Sequence, residues 1–365
     1  MNSRERVKAS INFEKPDRIA CGDNLWKDTV ALWRTQGMPQ DISPDDYFQY
    51  DVCSMSIDCS PRYEQKILEK NEGWYTYQDR WGYTATKKLG ACSSVHFFDH
   101  KTADPAAWEA SKHRWALDKN VPARIDTASY FEHFDPYPTW ARAGELYRQG
   151  YATNRYMLFA CYGPWEATWR HQGYQSLLMN LALEPEWVAD MAQTHINLLL
   201  AVLRHSLELG MRPDGFFMVE DLAGTRGLLF SPGMWRKILK PGVVQLGAFL
   251  KQHKIDFWMH CCGNPEALFP ELIECGVQVM NPLQVAAGLN VVALRKKYGK
   301  QLAYYGNIPA PMMSGPLDVL ETEIASKVPL AKEGGYVYHS DHSIPPDVSL
   351  ERYNWILQTV RKYGC

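Results

Sequence analysis

Short apolar or aromatic runs recur along this chain, each ending in polar or glycine residues and followed by a longer stretch with apolar residues at helical spacing. This alternation limits the fold more than any other feature. Parallel strands need a crossover of a dozen or more residues, usually a helix, so a strand–helix rhythm predicts βα units around a parallel sheet. Eight strands are predicted: Arg18–Cys21, Asp51–Ile57, Tyr156–Cys161, Gly215–Val219, Ile255–His260, Val277–Met280, Leu302–Tyr305 and Gly335–Tyr338. The clearest helix lies between Glu186 and Leu209, with Pro185 near its start and Gly210 near its end. Eight such units fit an α/β chain closed as a (β/α)8 TIM barrel, read as one domain over residues 1–365. The rival is an open, doubly wound sheet, which usually carries a glycine-rich phosphate loop after its first strand. Here that position reads Cys21-Gly22-Asp23-Asn24, which is not such a loop.

Two stretches break the rhythm and are read as insertions at the barrel mouth. Residues of about 62–90 alternate polar and β-forming side chains around Asn71-Glu72-Gly73 and Arg80-Trp81-Gly82, predicting a β-hairpin or small sheet. Residues of about 99–150 are rich in proline, tryptophan and charge. Insertions of this kind usually shape the active-site mouth.

Bulk properties exclude several functions. A net charge of -2 gives no sign of a polyanion partner, since nucleic-acid binders usually show a basic face. No run of about 18 uncharged apolar residues predicts a membrane span. The opening MNSRERVKASINFEKPDR has no apolar core of a signal peptide. Nine cysteines without an export signal read as reduced thiols or metal ligands, and the expected location is the cytoplasm. Composition leaves the oligomeric state open, a homodimer included.

Chemistry concentrates at predicted strand ends, where a TIM barrel places its catalytic groups. In Phe257-Trp258-Met259-His260-Cys261-Cys262-Gly263-Asn264, His260 and Cys262 are two residues apart. On a strand they project to the same side, so imidazole and thiolate can meet one zinc-like ion. The alternative is a buried histidine with inert core cysteines. The stretch His339-Ser340-Asp341-His342 follows the last strand and reads either as a metal or acid–base site or as an exposed polar loop. Glu220 and Asp221 end another strand and are read as general-base candidates or as caps. Asp58 ends the second strand, either as an anion facing substrate or as a turn cap. Trp165, Trp169 and Arg170 follow Gly163-Pro164 and either bind a large or carboxylate-bearing ligand or pack the wall.

These motifs resemble, in order, the signature blocks of the uroporphyrinogen decarboxylase superfamily. The matching stretches are NSRERVKASINFEKPDRI, GPWEATWRHQGYQSLLMNLALEPEWV, DGFFMVEDLAGTRGLLFSPGMWRKILKP, FWMHCCGN and GGYVYHSDHSIPPDVSLERYNWIL. The resemblance implies a (β/α)8 barrel. It also implies one of two activities: metal-free decarboxylation of a tetrapyrrole, or zinc-dependent methyl transfer between a small substrate and a corrinoid protein. The decarboxylase branch carries Arg-Gln-Ala-Gly-Arg after the first strand. Here the region reads Gly22-Asp23-Asn24-Leu25-Trp26-Lys27, without the arginine pair that grips carboxylates. Asp58 matches the branch's catalytic aspartate and His342 its late histidine. The methyltransferase branch carries His-x-Cys, matched by His260 and Cys262, and a third ligand after the last strand, where this chain carries His342 beside Asp341 and His339. The implied reading is a zinc methyltransferase acting on a thiol or on a methyl ether or amine. No corrinoid-binding Asp-x-His-x-x-Gly stretch occurs, so the corrinoid is expected on a partner protein. A metal-free carboxy-lyase and a non-catalytic corrinoid- or tetrapyrrole-binding barrel are the rival readings.

Overall fold

In the computed structural model, residues 1–89, 95–120, 122–127 and 136–365 are described. Seven strands form one parallel sheet, numbered here in chain order: β1 Val52–Ile57, β2 Tyr156–Tyr162, β3 Gly215–Val219, β4 Asp256–Cys261, β5 Val279–Pro282, β6 Ala303–Tyr305 and β7 Tyr336–Val337. Each pairs with the next in parallel register, for example Trp258 with both Phe217 and Val279. Seven of the eight predicted strands are therefore present, with ends shifted by one or two residues.

The eighth, Arg18–Cys21, is not a regular strand, yet it closes the barrel. Cys21 bridges Tyr338 in parallel. Tyr338 N–H donates to Ala20 at 2.9 Å, Gly22 N–H donates to Tyr338 at 3.1 Å, and Asp51 N–H donates to Cys21 at 2.7 Å. Three residues thus join the end of β7 to the start of β1. So short a segment satisfies the edge groups without having room for a strand pattern.

The sheet sorts its side chains by parity, as strand geometry requires. One set, including Tyr156, Leu158, Ala160, Tyr162, Phe217, Val219, Trp258, Val279, Tyr305 and Val337, packs together as one buried cluster. The alternate set, including Met157, Phe159, Cys161, Phe216, Met218, Phe257, Met259 and Cys261, packs with helical residues such as Ile196, Leu199 and Leu246. The first is the barrel interior and the second is the wall between sheet and helices. The long helix Pro185–Glu208 buries Val188, Met191, Ala192, His195, Ile196 and Leu199 along one face.

At the N-terminal end of the strands, Asp51 is a buried anion. It accepts from Ser3 Oγ (2.7 Å), Arg6 Nη1 (2.6 Å), Arg18 Nη1 (2.8 Å) and Cys21 N–H (2.9 Å), tying the first helix, Ser3–Ile11, to β1.

The first insertion is a four-stranded antiparallel sheet of Lys66–Lys70, Trp74–Gln78, Thr84–Lys88 and Val95–Phe98. It extends beyond the hairpin region predicted from sequence. The second contains helices Pro105–Ser111 and Trp140–Ala152 and a short strand, Ile125–Asp126, that pairs antiparallel with β1. Its residues 121 and 128–135 lie outside the described residues.

Candidate metal centre

Parity explains what gathers at the C-terminal ends of the strands. From the interior residue Val219, two steps lead to Asp221. From Trp258 they lead to His260 and then Cys262, from Val279 to Asn281, and from Val337 to His339. Glu220 has the opposite parity and a different environment.

His260, Cys262 and Asp221 converge. His260 Nε2 lies 3.4 Å from Cys262 Sγ and 3.6 Å from Asp221 Oδ1. The three ligand atoms fall within 4.8 Å of one another. Asp221 Oδ1 also accepts the Cys262 N–H at 2.7 Å, which fixes the thiol-bearing backbone against the carboxylate. The chain then reverses at Gly263, whose φ of +75° suits glycine. A Cβ there would press on the carbonyl oxygens of Ala223 and Gly224 at 2.6 and 2.5 Å. The site is open, since the His260 and Asp221 side chains are 19% and 39% exposed.

The histidine's tautomer follows from its neighbour. Asn281 Nδ2 donates to the Tyr305 carbonyl at 2.8 Å, so its Oδ1 faces His260 Nδ1 at 2.6 Å. An amide oxygen can only accept, so Nδ1 carries the proton and Nε2 presents its lone pair to Cys262 and Asp221. An outer hydrogen bond of this kind orients histidine ligands in metal sites. Burial first, and then the Asp221 charge, push the Cys262 thiol above its ordinary value. A bound cation reverses that sign and favours thiolate. Nitrogen, sulfur and carboxylate oxygen with room for a further ligand suit catalytic zinc.

Glu220 faces away from this group. It is fully buried, and its two oxygens accept the N–H groups of Trp165 (2.9 Å) and Glu166 (3.0 Å), capping the helix Pro164–Gln172. Its carboxylate lies so close to Gly163 that a Cβ there would collide with it, which explains the glycine before Pro164. Burial raises the Glu220 acid well above its ordinary value. Of the two strand-end carboxylates read from sequence as general-base candidates or caps, Glu220 is thus placed as a helix cap.

His342 does not join the cluster. Its side chain is exposed, with its ring 6.0 Å from that of Trp26. His339 is the histidine brought to the interior, against Tyr305 at 4.3 Å between rings, with a buried Nε2 that has no hydrogen-bond partner among the described residues. Asp341 accepts the N–H groups of Val285 (3.0 Å) and Ala310 (2.8 Å) and so ties two loops together.

Asp58 is held in an arginine corner. Arg62 Nε donates to it at 2.6 Å, and Arg80 Nε and Arg124 Nη1 lie 3.8 and 3.7 Å away. Although burial opposes the charge, these three guanidinium groups hold the carboxyl well below its ordinary value. Trp165, Trp169 and Arg170 are buried in the wall. Trp165 packs on Phe230, Trp169 on Phe97, and Arg170 lies over Tyr162 and bonds Glu166 at 2.5 Å. They present no open stacking face.

Sequence reasoning did not single out Asn281, Glu166 or the pairing of His260 with Asp221. An asparagine two places beyond an interior strand residue was the available signal for Asn281.

The family model of uroporphyrinogen decarboxylase (URO-D) matches residues 122–363, more than half of the 365-residue chain. The chain belongs to the uroporphyrinogen decarboxylase family. Among solved structures, it is similar to a methyltransferase from Methanosarcina mazei, at 12% identity and a TM-score of 0.64, with both chains covered in full. A fungal β-1,4-galactanase aligns at 11% identity and a TM-score of 0.34, over 64% of this chain and 85% of its own. No curated protein matches the sequence. The first likeness supports the TIM-barrel-like fold reached from strand order and closure. No helix among the described residues is long and apolar enough to cross a membrane.

Proposed function

We propose that this family member is a zinc-dependent methyltransferase moving a methyl group between a small substrate and a corrinoid carried by a separate protein. The observation that carries this reading is the convergence of His260 Nε2, Cys262 Sγ and Asp221 Oδ1 at the open strand ends, with the imidazole lone pair freed by Asn281. The carboxylate Asp221 replaces His342 as third ligand in this proposal. The methyltransferase with the same fold supports the direction of the reading.

When bound, zinc supplies Lewis acidity and holds a substrate thiol as thiolate, or stabilises the leaving heteroatom of a methyl ether or amine. The chain's own residues prepare the place. Asn281 keeps the proton on His260 Nδ1. Asp221 accepts the Cys262 N–H and holds that strand end against its own carboxylate. Glu220 caps the helix Pro164–Gln172 and so fixes Glu166, whose buried carboxyl pairs with Arg170. The arginine corner keeps Asp58 ionised but occupied, which disfavours the carboxy-lyase reading. Because Trp165, Trp169 and Arg170 are buried, this proposal takes any corrinoid contact to lie elsewhere on the rim.

The test is metal content of anaerobically purified protein, followed by methyl transfer between methylcobalamin and a panel of thiols. Zinc-dependent turnover that Cys262→Ala abolishes supports the proposal. Wild-type protein that refuses zinc, or turnover unchanged in Cys262→Ala, overturns it.

A further inference from the structure

A second group of metal-ligating side chains lies on the other face of the same sheet. Cys59 follows β1, Cys161 lies on β2 at a wall-facing position, and His195 lies midway along the helix Pro185–Glu208. A ring nitrogen of His195 and the two sulfurs fall within 4.8 Å of one another, and all three residues are buried. Among the described residues, this and the Asp221–His260–Cys262 group are the two clusters of such geometry.

The histidine provides an independent sign. His195 Nε2 lies 2.8 Å from the Tyr162 carbonyl, an acceptor, so Nε2 carries the proton and Nδ1 the lone pair. Nδ1 is buried and has no hydrogen-bond partner among the described residues. Buried polar atoms of native proteins are almost always paired, so an orphaned lone pair on a histidine grouped with two thiols calls for a partner. A metal ion held with the two sulfurs would be such a partner.

We infer that Cys59, Cys161 and His195 form a structural site for a zinc-class ion, separate from the proposed catalytic centre. Both thiols lose their protons on binding, releasing two protons to solvent. One divalent ion, two thiolates and one neutral imidazole then make an uncharged unit, which a dry wall tolerates far better than isolated charges. Soft sulfur with imidazole selects zinc over calcium or magnesium. The ion would staple β1's exit, β2 and the long helix, and burial means it enters as the chain folds.

The experiment counts zinc in full-length protein expressed in zinc-supplemented medium and dialysed. Wild type, Cys161→Ser, Cys59→Ser, Cys262→Ala and the Cys161→Ser/Cys262→Ala pair are compared, with far-ultraviolet circular dichroism checking the fold. The expected result is about two zinc ions per chain in wild type, about one in each single variant and none in the pair. X-ray absorption of zinc-loaded wild type should give more than one sulfur per zinc on average. This second readout needs no variant to fold. Wild type with about one zinc per chain, removed by Cys262→Ala and bound through a single sulfur, overturns the inference. So does a Cys59–Cys161 disulfide in unreduced, freshly isolated protein. If Cys161→Ser removes an ion while Cys262→Ala removes none, the structural site stands and the proposed function falls.

Discussion

Two corners of the barrel rim treat a carboxylate in opposite ways. At the end of β1, Asp58 is buried and faces Arg62, Arg80 and Arg124, so its charge is over-matched from within the protein. Beyond β3, Asp221 is part-exposed, and the basic side chain within 4.0 Å of it among the described residues is a single imidazole, that of His260 at 3.6 Å. No guanidinium or ammonium group among the described residues pairs with it. Asp58 is thus an anion satisfied from within the protein, while Asp221 and Cys262 form a site short of positive charge. Identical side-chain chemistry at strand ends acquires different meaning from the cations around it.

The largest expected effect comes from removing sulfur. Cys262→Ala should weaken zinc binding by roughly 10³-fold, since one of few ligands to an ion held by about 10–16 kcal/mol is lost. Competition with a chromophoric chelator measures this. If affinity is unchanged, the metal corner does not bind metal, and the contrast with Asp58 collapses.

Asp58→Asn attacks the other corner. It leaves three arginine side chains facing a neutral amide, and breaking a buried pair by removing one partner costs about 3–5 kcal/mol. Denaturant unfolding should register that loss with the zinc content intact. The pH dependence has a definite sign. Asp58 is held below its ordinary value when folded. Its contribution is therefore fully present above the unfolded carboxylate value of about 4 and fades as pH falls below it. Wild type should lose more stability than Asp58→Asn on acidification through that range. Unchanged stability with abolished turnover would instead make Asp58 catalytic and revive the carboxy-lyase.

Much of this contrast was legible in the sequence, because period-two alternation carries both strands and faces. The same count of two that groups His260 with Cys262 separates Glu220 from Asp221. It also leads from Val337 to His339 and bypasses His342. What was not legible was set by non-local partners. Glu220 became a cap because the helix starting at Pro164 arrives beside it, 55 residues away in the chain. Asp58 became ion-paired on several sides because Arg80 and Arg124 come from the insertions. Ala20 to Gly22 closes the barrel through single hydrogen bonds, too short a segment for any periodic pattern to mark its ends.

A smaller effect sharpens the metal corner. Asn281→Ala removes the acceptor that holds the proton on His260 Nδ1, without touching a ligand. Loss of such outer partners typically costs 10–100-fold in metal affinity or activity. Asn281→Asp keeps an acceptor at the same place and should restore most of the affinity. Failure of that rescue would mean that Asn281 acts through packing instead.

The smallest effect is expected at His342, and it bears on the ligand set itself. If its imidazole closed the metal shell, His342→Ala would weaken zinc as severely as Cys262→Ala does. The exposed ring beside Trp26 lies outside the group formed by Asp221, His260 and Cys262, so affinity should change by no more than about twofold, within the ordinary range for surface substitutions. Asp221→Ala makes the matching measurement and should match the Cys262→Ala loss. A reversal of the two results would mean that the loop after β7 swings in when metal binds, replacing a carboxylate with an imidazole. The charge of the ligand set would then rise by one, and a substrate thiol at that ion would be held more acidic than with Asp221 as the third ligand.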